Sequence, residues 1–402
     1  MDKYVVAKRY QRLADVYLVL IFAITVVNGF AIKRIATSWS LGDWLVNYEG
    51  GFVRRGLWGE LALLAGRTVH ISPVSLTLIL AILVYGVIFL LVRMFVTSSS
   101  WNWWVLALVI SPCTLAFSAI DKYAGYHKEI LYFAALGLLL WMLRRGERRG
   151  WVLMVYLSAV SVFTILSHEP QASYAPYYVA ALAIGLRSLQ RAATIATVPA
   201  ILAIICLYAV VTHPGNAAIV PRICASLGPE NTGMCDGWIG HYMASSTKKA
   251  QEEVVRFVAM FHYNRRYPVL ALVALAPIAG GFVVLWRQKK LRFDLKVLAA
   301  TACISLAASV PLFLYGIDWG RWIYIHIFSL FLLLLFLDSR ETKGSATVES
   351  VPDSRAKRLT MYGLLLIYAT CWNMPYCGGR HDGLAGRLIE IVNHHVAAHR
   401  GR

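Results

Sequence analysis

The chain is predicted to be an all-α polytopic membrane protein with about eleven transmembrane helices. Three observations predict this. Apolar runs long enough to span a bilayer recur from about Val16 to about Pro375. Of the 402 residues, 58% are hydrophobic and only 15% charged, with a mean hydropathy of +0.59, a composition that soluble domains do not show. Cutting the chain at the apolar runs leaves two unlike sets of connectors. One set is plain and basic, as in Arg144-Arg145-Gly146-Glu147-Arg148-Arg149. The other gathers acids, arginines, histidines and aromatics.

A spanning helix needs about 20 mostly apolar residues. Runs near 15–32, 73–93, 101–120, 128–143, 151–167, 172–188, 192–212, 267–286, 295–315, 320–337 and 359–375 meet or approach that length. Lys3, Lys8, Arg9 and Arg12 precede the first run, which the positive-inside rule places in the cytoplasm. That run lacks a small-residue cleavage site and reads as a retained anchor. Alternation then puts Arg93, Arg144–Arg149, Arg187–Arg191 and Arg287–Lys296 inside, and the C-terminal tail outside. The net charge of +18 is thus a membrane signature. No basic soluble module is present that would bind nucleic acid.

The chain reads as one transmembrane domain, 1–402. Its outer segments are 33–72, 213–266 and 376–402. Leu57–Leu64, Thr247–Phe261 and Leu384–His399 have helical apolar periodicity and are expected to lie at the membrane surface. The inner loop 339–358 is rich in Ser, Thr and charge and is expected to be flexible.

The candidate site lies on the outer face. In the first outer loop Gly50, Gly51 and Gly56 permit tight turns. Arg54 and Arg55 present planar forks suited to phosphate, or anchor lipid headgroups. Asp43 and Glu49 are placed either to act as general base toward a sugar hydroxyl or to pair with those arginines. Asp318 and Arg321 stand three apart at a helix start with Trp319 and Trp322. They can pair with one another, the tryptophans can form an interfacial belt, or the group can contact a sugar phosphate. His127, Lys128, His168 and Glu169 occupy the ends of apolar runs. Ionisable groups at such depth are functional candidates, against the plainer reading of helix capping. Cys224 with Cys235 and Cys371 with Cys377 are disulfide candidates if that face is oxidising. Neither pair has zinc-ligand company, so no metal site is expected.

There is no Walker motif, dinucleotide fingerprint or nucleophile elbow, and no cofactor is expected. Outside the cytoplasm a synthetic reaction needs an activated donor, such as a sugar on a polyprenyl phosphate or pyrophosphate. The run Gly51-Phe52-Val53-Arg54-Arg55-Gly56-Leu57, Lys128-Glu129, His168-Glu169, the Cys224/Cys235 loop and Gly320-Arg321-Trp322 resemble a family of bacterial polytopic membrane proteins encoded with surface-polysaccharide genes. By architecture the chain is similar to Wzy-type polysaccharide polymerases and GT-C glycosyltransferases. The resemblance implies a multi-pass inner-membrane transferase acting at the periplasmic face. Its partners would be a lipid-linked sugar donor, a glycan acceptor and other polysaccharide-assembly proteins. It also implies a catalytic carboxylate at Asp43 or Glu49, and pyrophosphate contacts from Arg54, Arg55 and Arg321. Glu169 and Asp318 are further catalytic candidates. The rival class is a transporter or flippase, which expects broken helices and polar groups at mid-membrane.

Overall fold

The computed structural model describes residues 3–35, 38–100, 102–231, 233–235, 239–341, 355–378 and 383–386. All the regular structure among these residues is helical, with no strand. In chain order the helices are α1 Lys3–Lys33, α2 Trp39–Trp44, α3 Gly56–Val69, α4 Pro73–Val96, α5 Trp103–Val109, α6 Phe117–Ile120, α7 Lys122–Gly125, α8 Glu129–Arg144, α9 Gly150–Ser167, α10 Pro176–Leu186, α11 Leu189–Thr212, α12 Val220–Ser226, α13 Gly240–Ala244, α14 Thr247–Phe261, α15 Tyr263–Trp286, α16 Arg292–Tyr315, α17 Trp319–Glu341 and α18 Arg355–Thr370. Side chains of Ser38, Ser72, Asp121, Ser188 and Ser246 accept from backbone N–H groups in the first turns of α2, α4, α7, α11 and α14. Such caps satisfy donors that have no partner inside the helix.

Seven described helices are long and apolar enough to cross a membrane: α1 from Gln11, α4, α9, α11, α15, α16 and α17. They account for seven of the eleven expected runs. The other four runs form shorter pieces for identifiable reasons. Pro112 follows the end of α5, and the chain turns before α6, so 101–120 is no single helix. A proline disfavours helix at the residue before it. The hydroxyl of Thr114 donates to the Leu108 carbonyl at 2.7 Å and the Ser111 carbonyl at 3.0 Å, so the broken helix end is capped internally. Pro176 divides the run 172–188 between the end of a 3₁₀ turn, Glu169–Tyr174, in which Pro170 stands at the start, and α10. With 11 residues α10 is about 17 Å long, roughly half a hydrocarbon core. α8 has 16 residues, about 24 Å. The apolar part of α18 is Leu359–Thr370.

α17 is the centre of the molecule. Of its span 94% is buried, against 22% for α11. It packs on α4, α8, α15 and α16, with Phe117 stacked on Tyr324 at 4.0 Å and Phe133 tilted against Phe328 at 4.4 Å. A polar rung crosses this core. The Tyr177 hydroxyl and the Ser309 hydroxyl each lie 3.0 Å from a ring nitrogen of His326, and Tyr132 meets Ser329 at 3.0 Å. The outer helices instead expose large apolar side chains, including Val155, Ile204, Leu272 and Ile304.

Contacts sort the connectors into two ends. At one end Arg93 pairs with Asp15, Arg144 donates to the Met94 carbonyl, Arg191 to the Arg148 carbonyl and Arg340 to the Ile184 carbonyl. The acid- and histidine-bearing connectors meet at the opposite end, where α1 and α9 finish and α8 and α17 begin. Residues 339–341 and 355–358, expected in a flexible loop, belong to α17 and α18. Residues 342–354, and most of the tail expected to form a surface helix, lie outside the described residues.

One buried carboxylate ties the far end of α17 to the α4–α5 turn. Asp338 accepts from the Ser100 backbone N–H at 2.6 Å and from its hydroxyl at 2.7 Å. Asp338→Ala is expected to lower the melting temperature of detergent-purified protein, since leaving those buried donors unmet costs about 1–3 kcal/mol. Asp338→Asn keeps an acceptor oxygen and is expected to lose less. Unchanged melting in both variants would show that this cap does not stabilise the fold.

Candidate functional site

The site is assembled from four stretches far apart in sequence. Asp43 comes from α2, Arg54 and Arg55 from the loop into α3, His127 to Glu129 from the start of α8, and His168 and Glu169 from the turn after α9. Asp318 and Arg321 come from the start of α17. Gly51 has φ +105° and turns the first of these loops. Gly320 has no room for a side chain, because a Cβ there would strike the Pro375 carbonyl. That close approach brings the segment after α18 down over Arg321, whose guanidinium lies 5.8 Å from the Tyr376 ring and 4.9 Å from the Trp322 ring.

Two arginine forks organise the charges. Arg55 donates through Nε to Glu169 Oε2 at 2.8 Å, through Nη2 to Glu169 Oε1 at 2.8 Å and through Nη1 to Asp43 Oδ1 at 3.1 Å. Arg321 donates through Nε and Nη2 to the two oxygens of Glu129 at 2.8 and 3.0 Å, and through Nη1 to Asp318 at 2.8 Å. His168 sits between the forks. Its Nε2 lies 3.4 Å from Arg321 Nη2, and its Nδ1 lies 3.8 Å from Asp43 Oδ2. A guanidinium only donates, so Nε2 must accept and the proton belongs on Nδ1, facing Asp43. Lys128 is fully buried and donates to the Arg55 carbonyl at 3.0 Å. That bond holds Arg55 in a left-handed conformation, φ +66°, which costs a non-glycine residue on the order of 1–3 kcal/mol.

Four cations, Arg54, Arg55, Lys128 and Arg321, thus meet four acids, Asp43, Glu129, Glu169 and Asp318. Burial alone would raise the Asp43 carboxyl, but the cations Lys128, Arg55 and Arg321 together hold it below the ordinary carboxylate range. Burial works against Glu169 too, and Arg55 and Arg54 still bring it down to about 2. Burial raises Asp318 despite Arg321. Burial and the neighbouring cations keep His127 and His168 neutral, well below the usual histidine value. Several buried polar atoms in the cluster make no hydrogen bond: Asp43 Oδ2, His168 Nδ1 and both ring nitrogens of His127, whose ring stacks on Tyr376 at 5.2 Å. Arg54 stands at the rim, its side chain 24% exposed, 4.0 Å from Glu169. The arrangement offers an ionised carboxylate with one oxygen uncommitted, neutral imidazoles beside it, and a partly exposed cation, Arg54, at its edge. Among the described residues no group of three His, Cys, Asp or Glu is arranged to hold a metal ion.

The structure brings together Asp43, Arg54, Arg55, His127, Lys128, His168, Glu169, Asp318, Arg321 and Trp322. It does not bring Glu49, which faces outward and pairs with Arg67 at 2.7 Å on the surface. Trp319 lies apart from the charges, donating to the Phe313 carbonyl and packing on Tyr263 and Tyr267. The forks of Arg55 and Arg321, expected to face phosphate, are turned onto carboxylates. Cys224 and Cys235 form a disulfide, and Ser226 within that loop accepts from Asn47 at 2.9 Å. Cys371 and Cys377 carry free thiols, which corrects the second expected pairing. Glu129, which the sequence offers only beside Lys128 at a helix start, is central. Tyr376 is central too, and the sequence carries no signal for it beyond an aromatic at the end of the last apolar run. Comparison with protein-family models, with curated proteins and with solved structures finds no match to the chain.

Two outcomes are expected from this geometry. Glu129→Gln leaves the buried Arg321 without its main counter-charge, and breaking such a pair costs about 3–5 kcal/mol. Its thermal melt should fall far more than that of Glu49→Gln, and equal melts would refute the buried-pair account. Stability should also fall with acid. The unfolded histidines take up protons below about pH 6.5, while His127 and His168 stay neutral in the fold. The unfolded state then binds more protons, so stability drops as pH falls through that value. Replacing both histidines with glutamine should flatten the melting profile between pH about 6.5 and about 5; an unchanged slope would contradict buried neutral imidazoles.

Proposed function

We propose that the chain transfers a sugar from a polyprenyl-(pyro)phosphate donor to a glycan acceptor, as a polymerase or single-sugar transferase of surface-polysaccharide synthesis. The observation that carries this reading is Asp43. It is a fully buried, ionised carboxylate with one oxygen unpartnered, beside neutral His168 and behind the rim cation Arg54. In the proposed step the acceptor hydroxyl attacks the anomeric carbon and gives its proton to Asp43. The bond from that carbon to the phosphate oxygen breaks, and the phosphate leaves with the electron pair. Arg54 neutralises the charge that develops on it. Arg55 and Arg321 keep a positioning role: they hold Asp43, Glu169, Glu129 and Asp318 in place.

The reading carries a topology. The arginine-rich end faces the cytoplasm of the bacterial inner membrane, as the positive-inside rule directs, and the cluster faces the periplasm. The four shorter segments complete eleven passes, with the N-terminus inside and the C-terminus outside. α3 and α14 then lie at the periplasmic surface, where the Cys224–Cys235 disulfide suits an oxidising compartment. A second reading, export of an anionic lipid-linked glycan without chemistry, is favoured by one feature. The interrupted α5–α7 stretch and the short α8 and α10 are non-continuous helices packed inside the bundle, as transporters use around a substrate.

Asp43→Asn keeps size and removes charge. Loss of a general base costs about 10²–10⁴-fold in rate, so transfer from a synthetic polyprenyl-linked donor should fall by that factor per folded molecule, alongside a lower melting temperature, because Asp43 also accepts from the buried Arg55. Glu49→Gln should transfer at the wild-type rate. Wild-type transfer by Asp43→Asn would rule out the proposed base. Donor translocation in proteoliposomes with no transfer by the wild type would establish the export reading in its place.

A further inference from the structure

We infer that the basic end of the bundle carries a binding site for the phosphodiester headgroup of an anionic phospholipid. A hollow of about 860 Å³ lies between the α8–α9 turn and the start of α11, lined by Arg145, Arg148, Arg149, Arg191, Trp141 and Glu147 among others. Four guanidiniums face one carboxylate there. Glu147 is already saturated: it accepts from the Arg148 and Arg149 backbone N–H groups at 3.0 and 2.8 Å, and from the Arg149 fork, Nη2 to Oε2 at 2.6 Å. The remaining cations are held in place by backbone. Arg148 Nη1 donates to the Leu143 and Glu147 carbonyls at 3.0 and 3.1 Å, Arg191 Nη2 donates to the Arg148 carbonyl at 2.8 Å, and Arg145 lies over the Trp141 ring at 5.6 Å. Gly146, at φ +91°, makes the tight turn that folds this loop back.

A merely solvated charge run would splay its side chains into water. These four stay exposed but line one open, shallow hollow with a surplus of positive charge, and guanidinium forks match phosphate oxygens. The lipid assignment comes from the flanks. Trp151 in the first turn of α9 is 63% exposed, and Leu189 at the start of α11 is 55% exposed. Both present apolar surface beside the hollow, where acyl chains would continue from the headgroup. Basic pockets between membrane helices bind anionic headgroups in this way. The inference does not depend on the proposed transferase reaction.

The test uses the full-length chain purified into phosphatidylcholine nanodiscs, with lipid binding counted by native mass spectrometry. Phosphatidylglycerol and cardiolipin are expected to bind, and added phosphatidylcholine is not. The double variant Arg145→Gln/Arg191→Gln is expected to bind them at least about tenfold more weakly, the equivalent of one lost charge-assisted contact. Both side chains are exposed, so the variant should melt as the wild type does in phosphatidylcholine alone. Anionic-lipid binding unchanged in the double variant would overturn the site. Inorganic phosphate competing as well as lipid at equal concentration would overturn the lipid assignment in favour of a soluble anion. If the variant misfolds, Arg145→Gln alone serves, and its full lipid affinity would likewise count against the site.

Discussion

The arrangement of this molecule follows from the cost of burying charge. A carboxylate or guanidinium moved from water into a protein interior is penalised by several kcal/mol, even after relaxation. Eight such groups lie together at one end of the bundle. The penalty is tolerated because each fork finds more than one acceptor: Arg55 reaches Glu169 and Asp43, and Arg321 reaches Glu129 and Asp318. The partners come from four separate stretches of chain. Matching them therefore forces α2 and the ends of α3, α8, α9 and α17 into one register.

That register explains why several helices are short. α8 begins at Glu129 because Glu129 has to meet Arg321, and it ends where Arg144 donates to the Met94 carbonyl. α10 cannot begin before Pro176, since the preceding turn places Glu169 on Arg55 and sends the Gln171 amide to the Lys128 carbonyl at 2.9 Å. Interrupted helices leave backbone groups without helical partners. In this bundle they are met by hydroxyls such as that of Thr114 and by amides such as that of Asn28, which donates to the Ser118 and Ala119 carbonyls. Such breaks are tolerated where the backbone is enclosed by protein, as it is around the almost fully buried α17.

The sorting of connectors into a basic and a chemically rich end was legible in the sequence, because charge is excluded from hydrocarbon and must collect at the ends of apolar runs. Membership of the cluster was largely legible for the same reason. The pairings were not. Arg55 and Glu169 stand 114 positions apart, and nothing local couples them. Glu49 and Asp43 look equivalent in one loop, yet Asp43 lies on the buried side of α2 and Glu49 in an exposed turn. Trp319 and Trp322 are three apart at a helix start, yet Trp319 packs toward α15 and α16 while Trp322 flanks Arg321. Helix length was hard to read for a different reason. A helix buried in protein and one facing lipid have the same apolar composition, so the runs that form the shorter α8 and α10 read like those of the seven long helices.

A cluster in which every charge is matched is chemically quiet, so what distinguishes a site from a structural ion network is the set of atoms left over. A purely structural network would gain by satisfying Asp43 Oδ2, which lies beyond hydrogen-bond reach of His168 Nδ1 at 3.8 Å. It would equally gain by replacing His127, a buried ring with no hydrogen bond at either nitrogen, with an apolar residue of similar size. It would not need Arg55 in a left-handed conformation held by a buried lysine. Three separate costs are thus concentrated within one group of contacting residues. Backbone strain, unmet polar atoms and dense buried charge tend to persist together where a site is held ready for a ligand. The proposed reaction uses these features directly: the unpartnered oxygen of Asp43 receives a proton, and the neutral imidazoles beside it leave Asp43 without a tightly bound counter-charge on that side.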